Sequence, residues 1–197
     1  MKPQLFIFIG RSGCGKGTQI KMLAEVLQKR DPEHGILLIQ TGEEFRHFIE
    51  GNSLTQNKTK EIYKVGGLMP EFLTAAMWTK PLIEKYTGNE HIFFDGTPRR
   101  YHEAGVLDSV VDFYGLGKPW VIDIHISPEE ATKRLLMRKR MDDTVEDIKK
   151  RLGWYDTYVV PTINYYRDNR DYQFLEIDGE RPMEAIHADI VQKLALG

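Results

Sequence analysis

The chain has 197 residues, 41% of them hydrophobic, and a formal net charge of −2, enough apolar material for one sizeable core. With no basic excess it does not read as a general nucleic-acid or membrane-surface binder, so any phosphate site has to gather its cations locally. A single cysteine excludes an internal disulfide and a multi-cysteine zinc site, and no apolar run is long enough to span a bilayer, so a cytoplasmic location is expected.

Leu5 to Ile9 is a short apolar run of β-formers and predicts a buried strand. The next ten residues read Gly10-Arg11-Ser12-Gly13-Cys14-Gly15-Lys16-Gly17-Thr18-Gln19. Glycines at 10, 13, 15 and 17 permit positive φ and let backbone N–H groups close on an anion, while the helix that follows adds its positive end. Lys16 supplies a mobile cation for the outer phosphates. Gly10, four residues, then Gly15-Lys16 fits the phosphate-loop pattern, except that Gly17 stands where Ser or Thr is usual and the hydroxyl follows at Thr18. A mere connecting turn would account for the glycines but not for strand, spacing, lysine and hydroxyl together.

Ile20, Leu23, Ala24 and Leu27 recur at helical spacing, Lys29 and Arg30 suit the helix end, and Asp31-Pro32 stops it. Gly35 to Gln40 predicts a second strand, with Thr41-Gly42 opening a helix that carries Arg46 one turn in. Residues 42–87 read as helices, broken near Gly51-Asn52-Ser53, at Gly66-Gly67 and at Pro70. His91 to Asp95 is a third strand closed by Gly96-Thr97-Pro98-Arg99, and Trp120 to Ile126 a fourth. Pro128 starts a helix bearing Arg134 and Arg138. Another helix begins near Asp142-Asp143-Thr144, where Asp143 and Glu146 have capping-box spacing, and runs towards Asn169. Tyr172 to Ile177 is a fifth strand, and a last helix starts at about Pro182. Apolar strands alternating with helices imply a parallel sheet covered on both faces, with ligands at the strands' carboxyl ends. The glycine loop, Thr41-Gly42 and Asp95 to Arg99 each follow a strand and are expected on one rim. Trp78, Trp120 and Trp154 read as packing residues, and the six histidines show no metal-ligand spacing. Cys14, near a helix N-terminus, reads first as a small residue that fits; the lesser alternative is a reactive thiol that a bound phosphate ligand would protect from alkylation.

These motifs resemble the adenylate kinase family of nucleoside monophosphate kinases over essentially the whole chain. Gly15-Lys16-Gly17-Thr18-Gln19, Thr41-Gly42-Glu43 with Arg46, Asp95-Gly96-Thr97-Pro98-Arg99, Arg140-Met141-Asp142-Asp143, Lys150-Arg151-Leu152 and Asp178-Gly179-Glu180-Arg181-Pro182 match its motifs in order, with Thr97 replacing an aromatic residue. The resemblance implies an α/β fold, a P-loop NTPase-type three-layer sandwich on a five-stranded parallel sheet. It further implies one domain over residues 1–197, with a helical monophosphate-binding insert at about 41–70 and a minimal lid at about 138–142. The implied reaction is ATP + AMP = 2 ADP, with Mg2+ accompanying ATP, no structural zinc and no nucleic-acid or membrane partner; a monomer is the default.

By the same resemblance Gly13, Cys14, Gly15, Lys16, Gly17 and Thr18 cradle the donor phosphates, with Arg134 and Arg138 beside them, Arg134 stacking on the adenine and the backbone near Arg181 bordering it. Thr41, Gly42, Arg46, Gly67, Leu68, Met69, Gly96, Thr97, Pro98 and Arg99 hold the acceptor, with Arg140 and Arg151. Lys16, Arg99, Arg138, Arg140 and Arg151 surround the moving phosphoryl group, and Asp95 orders Mg2+ through water. Arg151 four residues after Asp147 and Lys150 four after Glu146 also suit ordinary helix pairs; the motif favours function for Arg151, and the surface pair is preferred for Lys150.

Two departures stand out. Glu103 occupies the place where adenylate members read the base with glutamine; a carboxylate only accepts, which suits guanine's adjacent N–H donors better than adenine N1. AMP is expected from the overall resemblance, and GMP is the competing acceptor. Only three residues separate Arg138 from Asp142, so the lid is minimal, and some futile ATP hydrolysis is expected. A sugar-acid kinase would explain the loop but not Thr41-Gly42, Arg46 and the late arginines; a non-catalytic nucleotide sensor would leave the retained cations without purpose.

Overall fold

The computed structural model describes residues 2–138 and 144–196. Strands β1 (Leu5–Ile9), β2 (Gly35–Gln40), β3 (Glu90–Asp95), β4 (Trp120–His125) and β5 (Gln173–Asp178) pair in parallel in the order β2-β3-β1-β4-β5. Around them lie helices α1 (Lys16–Arg30), α2 (Thr41–Phe48), α3 (Leu54–Lys64), α4 (Glu71–Lys85) and α5 (Tyr101–Tyr114). They are followed by α6 (Pro128–Arg138), α7 (Val145–Trp154), α8 (Val160–Asp168) and α9 (Met183–Lys193). The sheet is the expected five-stranded parallel one, each strand within a residue of its predicted bounds.

Side chains of a strand alternate between faces, and in β1 both faces are buried. Leu5, Ile7 and Ile9 join Trp78, Leu82, Leu107 and Tyr166 under α4, α5 and α8. Phe6 and Phe8 join Ile20, Leu23, Leu27 and Ile190 under α1 and α9. With β1 central, the loop after it emerges where the chain diverges to β3 on one side and β4 on the other, the usual ligand position in such sheets. Among the described residues no helix is long and apolar enough to cross a membrane.

Two helix details differ from the sequence expectation. The cap of α7 is Thr144, whose hydroxyl accepts the Asp147 N–H at 3.2 Å and donates to the Asp147 carboxylate at 2.6 Å. It replaces the expected Asp143–Glu146 pair because a threonine one residue later reaches the same unpaired N–H groups; Asp142 and Asp143 themselves lie outside the described residues. The predicted continuous helix to Asn169 is instead α7 and α8 joined by a π turn, Tyr155–Val159. Pro161 has no N–H to offer the Thr157 carbonyl, and widening the turn ahead of it accommodates that missing bond.

At the opposite end of the sheet from the loop, Asp31, His34 and His91 come together although their sequence spacing gave no sign of it. Asp31 caps α1 and accepts from or pairs with His34 Nδ1 at 2.8 Å, and lies 3.3 Å from Nε2 of the fully buried His91. Gln4 N–H donates to His91 Nδ1 at 3.1 Å, so the ring's proton sits on Nε2, facing the carboxylate. A metal ligand through Nε2 would need that proton on Nδ1, so the cluster is a brace between the α1 end and β3.

Burial pushes His91 below the ordinary imidazole value, against the opposing pull of Asp31. The unfolded chain therefore takes up a proton from about pH 6.5 downward before the folded one does, and stability falls as the pH falls through this window. Urea midpoints measured at decreasing pH should drop for the wild type and drop less for His91→Gln, which keeps an acceptor for Gln4; equal slopes would contradict the assignment. A second prediction concerns Gly10, whose φ is +140° and whose missing Cβ would lie 2.4 Å from the Ile124 carbonyl oxygen in β4. Gly10→Ala should cost about 1–3 kcal/mol in denaturant unfolding, since a rigid strand carbonyl cannot move aside.

Candidate active site

The loop after β1 turns through left-handed positions at Gly13 (φ +87°) and Gly15 (φ +97°), and Gly15 is the N-cap of α1. Cys14 N–H donates to Arg11 O at 3.2 Å, closing the turn. Lys16 Nζ donates to the loop's own carbonyls, Gly10 O at 2.9 Å and Arg11 O at 3.0 Å. Cys14 is 2% exposed with its sulfur 3.5 Å from that ammonium, so the small-residue reading fits and the thiol is not presented to solvent.

A cleft of about 880 Å³ opens over the carboxyl ends of the strands. The loop contributes Gly13, Gly15, Lys16, Gly17 and Thr18 to its wall. The segment after β2 contributes Thr41, Gly42 and Arg46, the turn between α3 and α4 contributes Gly67, Leu68 and Met69, and β3 ends in it with Asp95 and Arg99. Arg134 and Arg138 reach it from α6 and Arg151 from α7. Residues predicted from six separate segments thus meet on one rim, and they concentrate cationic groups in a chain whose net charge is negative. Arg140 lies outside the described residues, as does most of the segment expected to form the lid.

Several of these side chains are already held. Arg46 pairs with Glu43, and Arg134 donates to Glu130 at 2.7 Å and to the Gly179 carbonyl at 2.9 Å, tying α6 to the turn after β5. Arg99 Nε donates to Gly96 O at 2.8 Å. Gly96 lines a small hollow of about 50 Å³ beside the cleft, shared with Lys16, Arg99, Arg151 and Trp154. Thr97 is buried and shares a 2.6 Å hydroxyl contact with Thr41, bridging the ends of β2 and β3; Pro98 is buried next to it. Arg181 does not line the cleft: it pairs with Asp189 of α9 at 2.5 Å.

Glu103 is also absent from the cleft wall. It is 3% exposed, and its carboxylate accepts the Arg99 backbone N–H at 3.1 Å, bracing the turn from β3 into α5. Burial raises it above the usual carboxylate range, with the Arg99 N–H opposing the rise.

Asp95 is half-buried on the cleft wall, and one of its oxygens accepts from Gln40 Nε2 at 3.2 Å. The same oxygen would stand 3.6 Å from a Cβ placed on Gly17, so the carboxylate lies close beside the start of α1. One carboxylate, with the Thr18 hydroxyl on the same wall, suits a Mg2+ ion that keeps its waters and takes phosphate oxygens as further ligands.

Sequence reasoning missed three participants. Trp154, read as packing, is half-buried and lines both the cleft and the hollow; its helix face, four residues ahead of Tyr158 and three after Arg151, carried the only signal. Gln40 orients Asp95 because the two are register partners at the ends of β2 and β3. Lys150, read as half of a surface pair, does meet Glu146 at 3.2 Å but also donates to the Val65 carbonyl at 3.0 Å. Next to that bond Gly66 (φ +59°) packs so closely that a Cβ would meet the Asp147 carboxylate at 2.5 Å, so α7 touches the α3–α4 turn directly.

The family model described as adenylate kinase matches residues 8–171. Among curated relatives, the chain is 31% identical to an adenylate kinase of Prochlorococcus marinus (strain MIT 9301), covering 96% of this chain and 97% of that one. It is 33% identical to adenylate kinase 1 of Synechocystis sp. over 93% of each chain, and 35% identical to an adenylate kinase of Mycolicibacterium paratuberculosis over 82% of this chain and 85% of the relative. With that match over most of its length and the phosphate loop, strand-end motif and arginines gathered on one cleft, the chain belongs to the adenylate kinase family.

Proposed function

We propose that the protein transfers the terminal phosphoryl group of ATP to AMP, reversibly, giving two ADP. The observation that carries this reading is the convergence of Lys16, Arg99, Arg138 and Arg151 on one cleft between the phosphate loop and the α3–α4 turn. A donor and an acceptor brought together place several negative charges within a few ångströms, so catalysis consists of positioning and charge cancellation, with no covalent nucleophile. The loop N–H groups and Lys16 take the donor phosphates, with Arg134 and Arg138 along α6. Thr41, Arg46, Arg99 and the backbone from Gly67 to Met69 take the acceptor, residues 41–70 acting as its insert. Arg99 and Arg151 grip the transferring group, since a planar guanidinium holds two phosphate oxygens at once and stays charged. Mg2+, when bound with ATP, neutralises phosphate charge; Asp95, oriented by Gln40, holds its hydration shell from the protein side.

Glu103 bears on the acceptor. Its carboxylate is engaged with the Arg99 N–H and is withdrawn from the cleft wall, which supports its acting as a brace of the strand-end turn. A brace leaves the guanine N–H donors without their acidic partner, and that favours AMP.

The test is phosphoryl transfer from ATP-Mg2+ to AMP, GMP, CMP and UMP by the wild type and Glu103→Gln, whose amide oxygen can still accept the Arg99 N–H. AMP is expected to have the highest kcat/KM, with Glu103→Gln within about threefold of wild type on AMP, because an unchanged contact costs little transition-state energy. GMP preference, shifted towards AMP by the mutation, would overturn the assignment. In the same assay Lys16→Met should lower kcat by about 10²–10³, the usual loss of one preorganised charge-stabilising donor. Inorganic phosphate released without acceptor reports how far the short segment after Arg138 lets water reach ATP.

A further inference from the structure

Arg11 lies inside the phosphate loop, yet its side chain belongs to neither the cleft nor the hollow beside it. It turns away from the anion position and is 9% exposed. Its guanidinium lies 4.1 Å from the centroid of the Tyr155 ring, and Nη2 donates to Asp156 Oδ1 at 2.9 Å. Both partners belong to the π turn between α7 and α8. Nε and Nη1 are buried without a hydrogen bond to any described residue, so the stack and the single ion pair hold the group. Burying an arginine this far is costly unless its charge is paired, and here one carboxylate and one ring face supply the pairing.

The same residue's backbone does a second job. Its carbonyl accepts from Lys16 Nζ and from the Cys14 N–H, so the peptide that shapes the anion cradle carries the side chain that grips the π turn. On the other side of the grip, Tyr155 N–H donates to the Arg151 carbonyl, one turn back along the same helix. Arg151 and Tyr155, four residues apart, share a face. A short path of one guanidinium–ring stack and one backbone hydrogen bond therefore runs from the loop through Arg11, Tyr155 and the last turn of α7 to Arg151.

We propose that Arg11 is a positioning residue for phosphoryl transfer: by clamping Tyr155 and Asp156 it registers Arg151 against the phosphate loop, so that the loop-held donor and the Arg151 guanidinium meet the transferring group together. The proposal rests on the role assigned to Arg151 above but not on which monophosphate is the acceptor. Arg11 touches no substrate, so its loss acts on kcat and leaves donor binding nearly intact. Tyr155 contributes its ring as the platform, and the widened turn presents that ring to the loop while Val160 and Ile163 of the following helix stay packed on the core.

A double-mutant cycle with ATP-Mg2+ and whichever monophosphate the wild type uses best tests it. Arg11→Ala should lower kcat about tenfold while KM for ATP changes less than about threefold, the pattern of a misplaced transition-state group. In an Arg151→Ala background the same substitution should cost less than about twofold, because the two act through one element. Effects that multiply would overturn the proposal, and so would a lowered thermal midpoint with unchanged kcat. If Arg11→Ala does not fold, Asp156→Ala, at the exposed end of the pair, carries the same cycle, and its silence overturns the clamp. A slow Arg11→Ala beside an Arg151→Ala of wild-type rate also overturns it and removes Arg151 from the machinery, whereas a GMP-preferring wild type leaves the cycle intact and sinks only the acceptor assignment.

Discussion

The approach of Gly10 to the Ile124 carbonyl decides where everything else stands. At the end of β1 the chain has to leave the sheet within contact distance of β4, and only a residue without a side chain, at a positive φ, can do so. From that point the loop has room to curl over the strand ends, and α1 starts where its first N–H groups face the space above the sheet. Because β1 is the central strand, that space is flanked by the ends of β3 and β4, and Asp95 and Arg99 on one side and α6 on the other are brought to it without long connections.

Charge is the second constraint. The protein as a whole is mildly acidic, so the cleft's positive character comes from placement, with most of its arginines held by a carboxylate or carbonyl of the protein. Arg46 on Glu43, Arg134 on Glu130 and Gly179, and Arg99 on Gly96 each have a partner that can be exchanged for phosphate or kept as a scaffold. Such pairs are worth little on the surface, but they fix planar groups in orientations that an incoming phosphate can use.

How much of this was legible depended on whether the signal was local. The five strands, the glycine loop and the motif residues on the rim could be read because each is a short run with its own periodicity or chemistry. The cap at Thr144 was missed by one residue because three consecutive polar residues all look like caps in sequence. The π turn followed from one proline, Pro161, inside a pattern that otherwise reads as a single helix. Trp154, the Gln40–Asp95 contact and the meeting of Asp31, His34 and His91 were not legible, since each depends on register or packing between elements far apart in the chain. Glu103 was legible as an anomaly, but the direction of its side chain is a property of the turn into α5.

Lys16 resting on the Gly10 and Arg11 carbonyls makes the loop its own competitor. An anion has to replace two hydrogen bonds from a charged donor, each worth about 1.5–3 kcal/mol, before it gains the ammonium. On the function proposed above, a triphosphate would offset that cost through the several loop N–H groups it meets at once, which an anion making a single contact would not. On that reading the loop would select ligands by how many contacts they make together, its own backbone being the first competitor for Lys16.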